Sequence, residues 1–229
     1  MVRFARYGYR RVTAQLKREG YLINHKKISR IMRENSWQCR PKSQWIVTTE
    51  ADPKYPIFEN KIKGLNISGI NQVWVADLTA IRIQGAFAYL ALVVDVYSRK
   101  IIGWALAWQK TEDLTKAALK MALERRKPKP GWIHHSDRGA QYASGYYVAL
   151  VKAGGGIMSM SAKGNPYENS IMERCIRTIK WEEVKLCEYQ SLTEAYQRLE
   201  YFIEKVYNQE RLHSSLGYKT PVEFEAALV

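Results

Sequence analysis

At 229 residues the chain is long enough to bury one medium-sized core with one or two small attachments. Lys and Arg outnumber Asp and Glu 36 to 22, giving a net charge of +14 and a pI near 9.6. That excess points to a polyanionic partner, nucleic acid rather than a membrane, because no basic amphipathic helix stands apart from the folded pattern. The three cysteines form no CxxC pair, which argues against a disulfide framework and for reduced thiols in the cytoplasm. Met1 leads directly into Arg3, Arg6, Arg10 and Arg11, so no secretory signal is expected. The longest apolar run, Phe87 to Val96, is broken by Asp95 and is too short to span a bilayer.

Residues 8–35 predict two short helices. Val12 and Leu16 share a face in the first, which stops at Gly20; the second starts after Asn24 as N-cap, with Ile28, Ile31 and Met32 on one side. Their outer faces carry Arg10, Arg11, Lys17, Arg18, Lys26, Lys27, Arg30 and Arg33, which suits a helix-turn-helix facing DNA, or simply a solvated helical hairpin. Residues 36–70 hold Pro41, Pro53 and Pro56 without a sustained period. They predict a linker, with one short strand at Trp45–Thr48, that lets the N-terminal unit move. Three β-branched and aromatic runs follow, at Gln72–Ile83, Ala86–Val96 and Lys100–Trp108. Beyond them the pattern predicts a helix (Thr111–Arg126), a strand (Trp132–His135), a helix (Tyr142–Lys152) and a strand (Ile157–Met160). Long helices at Pro166–Leu186 and Ser191–Asn208 come last. The order predicts an α/β fold, a mixed sheet with helices on both faces.

Three acidic residues stand out against this pattern. Asp77 closes the run Val73-Trp74-Val75-Ala76, Asp137 follows Trp132–Ser136, and Glu173 lies on a polar helical segment. One carboxylate at the end of each of two strands, with a third on a nearby helix, can converge on a pair of Mg²⁺ ions. Such a pair clamps the attacking and leaving oxygens of a phosphodiester. Oxygen ligands suffice for Mg²⁺, so no cysteine or histidine cage is required. The competing reading of Asp77 and Asp137 is a strand-end carboxylate satisfied by backbone or arginine. Glu173 competes with Glu168, better placed to cap the helix start, and with Glu182 and Glu183, more than two turns further on. Arg177 and Lys180 share its helix face. Asp95 is better read as a turn former with Ser98 or Arg99 than as a ligand. His134 and His135 point to opposite faces of a strand and lack a second ligand pair, so one is expected buried and the other beside Asp137.

Trp74-Val75-Ala76-Asp77-Leu78-Thr79, His134-His135-Ser136-Asp137-Arg138-Gly139-Ala140-Gln141-Tyr142 and Ser159-Met160-Ser161-Ala162-Lys163-Gly164-Asn165-Pro166 resemble the integrase core of bacterial insertion-sequence transposases. So do Glu173 with Lys180, and the tail from Tyr207 to Tyr218. The helical segments Tyr7-Gly8-Tyr9-Arg10-Arg11 and His25-Lys26-Lys27-Ile28 resemble the region preceding that core. Nearly the whole chain is covered, in order, and the likeness is strongest to the downstream-frame subunit of copy-out, paste-in elements, itself similar to retroviral integrase. The resemblance implies a ribonuclease-H-like, mixed five-stranded sheet flanked by helices and preceded by a small helix-turn-helix-like region. It divides the chain into a basic DNA-binding region at 1–35, a linker at 36–70, a catalytic core at 71–186, and a C-terminal helix with a basic tail at 187–229.

The function implied is metal-dependent 3′-end cleavage and strand transfer, without a covalent protein–DNA intermediate. Asp77, Asp137 and Glu173 are implied as both catalytic residues and ligands of two Mg²⁺ ions, with Mn²⁺ as substitute. Arg10, Arg11, Lys26, Lys27, Arg30, Lys163, Asn165, Arg177 and Lys180 are the expected DNA contacts. Expected partners are element-end and target DNA and a second copy of the chain or a higher assembly on DNA. An upstream-frame protein, or a frameshift fusion with it, is a further one, because the upstream recognition helices and coiled coil are expected to be absent here. The expected location is the bacterial cytoplasm, at the nucleoid. A decayed, DNA-binding-only descendant and a hydrolytic nuclease of the same fold are the competing readings. Ala76, Glu168, Cys175 and the run Gly154-Gly155-Gly156 depart from the family pattern, and none of them removes a ligand.

Overall fold

The computed structural model describes residues 6–37, 56–161 and 170–228. The three runs predicted as strands form an antiparallel meander of β1 (Val73–Ile83), β2 (Ala86–Asp95) and β3 (Ile101–Ala107). Two short strands, β4 (Ile133–Ser136) and β5 (Ile157–Met160), add in parallel on the far side of β1, giving the sheet order β3-β2-β1-β4-β5. The β1–β2 turn falls at Gln84 and Gly85, both at positive φ, as a tight two-residue hairpin requires.

Helices cover both faces because β1 is apolar on both. Val73, Val75, Ile81 and Ile83 pack with α6 (Ser170–Glu182), α7 (Leu192–Glu200) and the helical segment after it, through Met172, Cys175, Ile179, Leu199 and Ile203. Trp74 and Ala76 face the other way, to α3 (Glu112–Arg126) and α5 (Gly145–Ala153), meeting Leu114, Ala118, Leu119, Tyr147 and Val151. Alternation along one strand thus builds two cores. Gly103 in β3 lets α3 come close: a Cβ there would fall on the Ala118 carbonyl oxygen and the Ala122 methyl. The Gly154–Gly156 run has a similar cause. Gly155 sits at φ +74°, and a Cβ on Gly156 would lie 2.6 Å from the Trp132 ring. Trp132 Nε1 in turn donates to the Gly154 carbonyl at 2.8 Å.

Three elements differ from the sequence expectation. The helix predicted at Tyr142–Lys152 is divided into α4 (Ala140–Ala143) and α5 by Ser144, whose extended backbone and hydroxyl cap α5 by accepting from Tyr147 N. The helix predicted to Asn208 widens after α7 into a π-helical segment, Tyr201–Glu210. Its buried Asn208 accepts from Ile101 N and donates to Ile101 O, so a side chain pairs the backbone of the edge strand β3. The segment expected as a basic tail presents acceptors instead. Glu223 and Glu225, on α8 (Pro221–Ala226), receive Arg18, and Lys100 with Arg126, respectively.

The N-terminal helices α1 (Tyr9–Arg18) and α2 (His25–Glu34) lie where predicted, with Asn24 accepting from Lys26 N at 2.9 Å. α1 is docked rather than loosely tethered. Arg18 pairs with Glu223, Leu212 N donates to the Tyr7 hydroxyl at 2.9 Å, and the Arg6 guanidinium lies 4.2 Å over the Trp181 ring. Of the predicted linker, residues 56–70 run along the core. Phe58, Ile62 and Ile67 pack on it, and Lys61 N donates to Ser159 Oγ. The strand predicted at Trp45–Thr48 lies outside the described residues.

His213 gives this assembly a pH dependence. Burial, then Arg211 and Arg11, push its pKa down to about 3, and its ring stands edge-on to Tyr207 at 4.9 Å. Between that value and the unfolded value near ~6.5, the unfolded chain takes up a proton that the folded chain refuses. The stability tied to neutral His213 is complete above the unfolded pKa and drains away as pH falls, by about 2 kcal/mol at pH 5. Buried carboxyls such as Asp77 titrate in the opposite sense, so the test is a difference. The gap between wild type and His213→Gln in urea midpoint should shrink steadily from pH 7 to pH 5; a constant gap would refute this account.

Candidate active site

β1 and β4 pair in parallel from Val73–Ile133 to Ala76–Ser136. Asp77 and Asp137 each take the next position, so two carboxylates leave adjacent strands side by side. Asp137 stands at the strand end as the sequence suggests. Asp77 does not: it is the fifth residue of an eleven-residue strand, which continues beside β2 with Asp77 opposite Leu92. What sets its position apart is that β4 stops there and uncovers that side of β1.

The carboxyl of Asp77 lies deep although the residue keeps some exposure. Burial first, and then the neighbouring Asp137, raise its pKa to about 7, while the Leu78 N–H and Lys110 oppose the rise. Burial also raises Asp137, against the Gly139 N–H at 2.9 Å and Lys110. Glu173 pushes Asp77 in the same direction. It sits exposed in the first turn of α6. Among the described residues, no three His, Cys, Asp or Glu side chains stand close enough as arranged to hold an ion. The donor set nevertheless suits a hard divalent cation. It is all oxygen, and its two strand-borne members repel each other unless a positive charge lies between them.

Lys110 is a member of this site that the sequence reading passed over. It lies on the turn between β3 and α3, exposed and without an ion pair among the described residues, and it lowers the pKa of both aspartates. A lysine just ahead of a helix N-terminus is on the unfavourable side of the dipole, and that was the available signal. Lys180, half-buried on α6, also senses Asp77, although burial lowers its own pKa. Arg177 is exposed one turn nearer Glu173.

The remaining candidates are spread out. Lys26, Lys27 and Arg30 are exposed on α2, Arg30 within 3.7 Å of Glu34, and Arg10 is exposed beside Tyr9. Arg11 is turned inward, to Glu182 at 3.4 Å and over the Tyr7 ring, so it packs α1 rather than lining its outer face. Lys163 and Asn165 lie outside the described residues, as does Glu168. Both histidines are fully buried, contrary to the expectation that one borders Asp137: His134 pairs with the Tyr147 hydroxyl at 2.8 Å, and His135 Nδ1 pairs with Ser159 Oγ at 2.9 Å. Asp95 is a turn former. It accepts from Tyr97 N and Ser98 N at 3.0 Å, from Asn71 N, and from Arg126.

Comparison with known proteins gives the family and the fold. Two models described as "Integrase core domain" match residues 68–166 and 156–221, and one described as "HTH-like domain" matches residues 2–45. The transposase for insertion element IS904 of Lactococcus lactis is 34% identical over 96% of this chain and 87% of its own length. Transposase InsF of IS3A from Escherichia coli is 34% identical over 96% and 77%, and the 31 kDa protein of IS600 from Shigella sonnei 36% identical over 95% and 80%. Among solved structures, the magnesium-bound catalytic core of HTLV-2 integrase superposes with TM-score 0.51 at 18% identity, over 68% of this chain and 97% of that one. The catalytic core of BIV integrase gives 0.51 at 18%, over 69% and 95%. A simian T-cell lymphotropic virus intasome chain gives 0.57 at 15%, over 76% of this chain and 60% of that one. The structural likenesses fix the fold, and the sequence relatives fix the family: this chain belongs to the integrase-core transposases of bacterial insertion sequences.

Proposed function

We propose that this DNA transposase cleaves and joins strands at the acidic site, where Asp77, Asp137 and Glu173 would hold a pair of divalent cations. The observation that carries the reading is the side-by-side exit of Asp77 and Asp137 from the paired strands β1 and β4, with each carboxyl raised by burial and Asp77 raised further by its neighbour. Bound there, two Mg²⁺ or Mn²⁺ ions supply Lewis-acid activation of the attacking oxygen and charge stabilisation of the leaving one. The chain's own groups supply the rest. The aspartates concentrate negative charge at one point of a strongly basic protein. Lys110 and Lys180, which both act on Asp77, and Arg177 on the same helix face as Glu173 hold the phosphates of the DNA end. Lys26, Lys27, Arg30 and Arg10 take flanking backbone, an interaction that weakens with salt.

Two DNA ends have to meet, so the working species is a dimer or larger assembly on DNA. The HTLV-2 integrase catalytic core has been solved in dimeric and trimeric forms, which supports assembly without fixing its geometry. An upstream-frame protein, or a frameshift fusion with it, is the proposed partner for recognising element ends. No helix of the described residues is long and apolar enough to cross a membrane; the proposed location is the cytoplasm, on the nucleoid.

The test uses labelled duplexes tiling the DNA that flanks the coding sequence, with Mn²⁺ and a supercoiled target. We expect a nick at one 3′ end and then a product in which that end is joined to a second strand. Nicks without joined strands would recast the chain as a nuclease of this fold. Binding without either product would leave a DNA-binding protein that has lost its chemistry.

A further inference from the structure

The tail that begins at Tyr207 ends in a small bracket. His213 N donates to the Lys219 carbonyl at 3.1 Å, Tyr218 N donates to the His213 carbonyl at 2.9 Å, and Gly217 turns the chain at φ +62°. α1 is held against this bracket at both ends. Ahead of its first turn, the buried Tyr7 hydroxyl accepts from Leu212 N at 2.9 Å. Within that turn Arg11 meets Glu182, the last residue of α6, to both of whose oxygens Arg211 of the tail donates. At the last residue of α1, Arg18 donates to both oxygens of Glu223 and, at 3.4 Å, to the Tyr218 carbonyl. Arg11 and Arg18 lie about two helical turns apart and share one face, so a single surface can take both. Contacts at both ends fix a helix in direction as well as in place.

α1 carries α2 with it. His25 stacks on Tyr9 at 6.2 Å, and α2 leaves Lys26, Lys27 and Arg30 exposed. On the other side of the dock is α6, whose first turn bears Glu173. Glu182 and Glu173 are separated by about 14 Å of one continuous helix, at ~1.5 Å of rise per residue. The basic residues of α2 and the acidic site therefore belong to one connected frame. A loose tether would raise the local concentration of DNA and leave its register free. Phosphate contacts on a fixed frame set the register of the duplex.

We infer that the tail is a spacing device: by holding α1 it fixes the distance between the phosphate contacts of α2 and the acidic site, and so determines which phosphodiester is cut. The inference rests on the readings of α2 as a DNA contact and of Asp77, Asp137 and Glu173 as the cutting site.

The experiment maps nicks at single-nucleotide resolution on a labelled element end, with gel shift and thermal melting alongside. Wild type should cut one phosphodiester. The double variant Arg11→Ala, Arg18→Glu removes both ionic anchors and leaves Glu182 to Arg211, so the chain should stay folded while its nicks spread over several neighbouring phosphodiesters. Arg18→Glu alone breaks a partly exposed pair at little cost in stability and should spread the nicks less. Arg18→Lys keeps the charge and should cut as wild type does. Lys17→Glu makes the same charge change one residue away, about 100° round the helix. It should weaken DNA binding as much as Arg18→Glu and still cut at one place. A single cut site in both Arg18→Glu variants overturns the spacing role. Equal spreading in Lys17→Glu overturns it too, as an effect of charge on the DNA. If Lys26→Ala, Lys27→Ala, Arg30→Ala binds and cuts like wild type, α2 does not hold the DNA and the inference falls with that reading. If wild type cuts no duplex, the reading of the acidic site is the one that fails, and the inference goes with it.

Discussion

Asp137→Asn is expected to lower 3′-end cleavage and strand transfer together by at least about a thousandfold, equivalent to about 4 kcal/mol of transition-state stabilisation. The substitution is nearly isosteric. An asparagine Oδ1 still accepts the Gly139 N–H, so the turn after β4 keeps its shape. What disappears is one negative charge from a pair that burial already disfavours. Folding and chemistry should therefore respond in opposite directions. Without a cation, removing one of two neighbouring buried carboxylates relieves repulsion on Asp77, and the melting temperature should hold or rise. With Mn²⁺, wild type should gain stability by mass action while the variant gains little. DNA binding should persist, because the phosphate-facing cations are unchanged. Gel shift, melting with and without Mn²⁺, and the joined-strand assay read the three consequences separately. Strand transfer surviving in the variant would sink the assignment. Activity lost together with a lower melting temperature would show that Asp137 had been holding the fold.

The strand-end position of Asp137 could be read from sequence because its context is local. An apolar run ending in Asp-Arg-Gly before a helix start announces a strand end, and β4 ends within a residue of the expected place. The meander was legible for the same reason: β-branched runs broken by Gln84-Gly85 and by Tyr97-Ser98-Arg99 leave little choice. The position of Asp77 was only half legible. Its apolar run marks a strand, but where β4 stops beside it is a property of pairing, not of either segment. Asp95 was legible as a turn former from Ser98 and Arg99 beside it. Lys110 was not, since it is defined by what the sheet brings near it. The two histidines misled in one respect. Opposite faces of a strand usually mean one buried and one exposed, but β4 is an inner strand, covered on both sides. Arg11 misled in another: helical spacing placed it among outward cations, and only the folded chain reveals Glu182 opposite it.

Arg211→Met is expected to destabilise the chain by about 3–5 kcal/mol, the cost of leaving a buried carboxylate without its main partner. Arg211 donates to both oxygens of Glu182, at 2.8 and 2.7 Å, and the two side chains are only 5% and 11% exposed. Burial works against the charge on Arg211, yet the Glu182 bonds hold its pKa above the usual range. Arg11 alone, at 3.4 Å, cannot replace that fork. Glu182 is the last residue of α6, and Glu173 stands in the first turn of the same helix. The pair therefore anchors one end of the element whose other end carries Glu173, and through Arg11 it also holds α1. Desolvation makes the pair costly in itself, so its removal as a unit should be far milder than breaking it. The double variant Arg211→Met, Glu182→Leu should regain most of the lost stability. Equilibrium urea unfolding of the wild type, both single variants and the double gives the coupling directly. A cost below about 1 kcal/mol for Arg211→Met would mean that the pair behaves like a surface ion pair, and α6 would then owe its position to Met172, Cys175 and Ile179 alone.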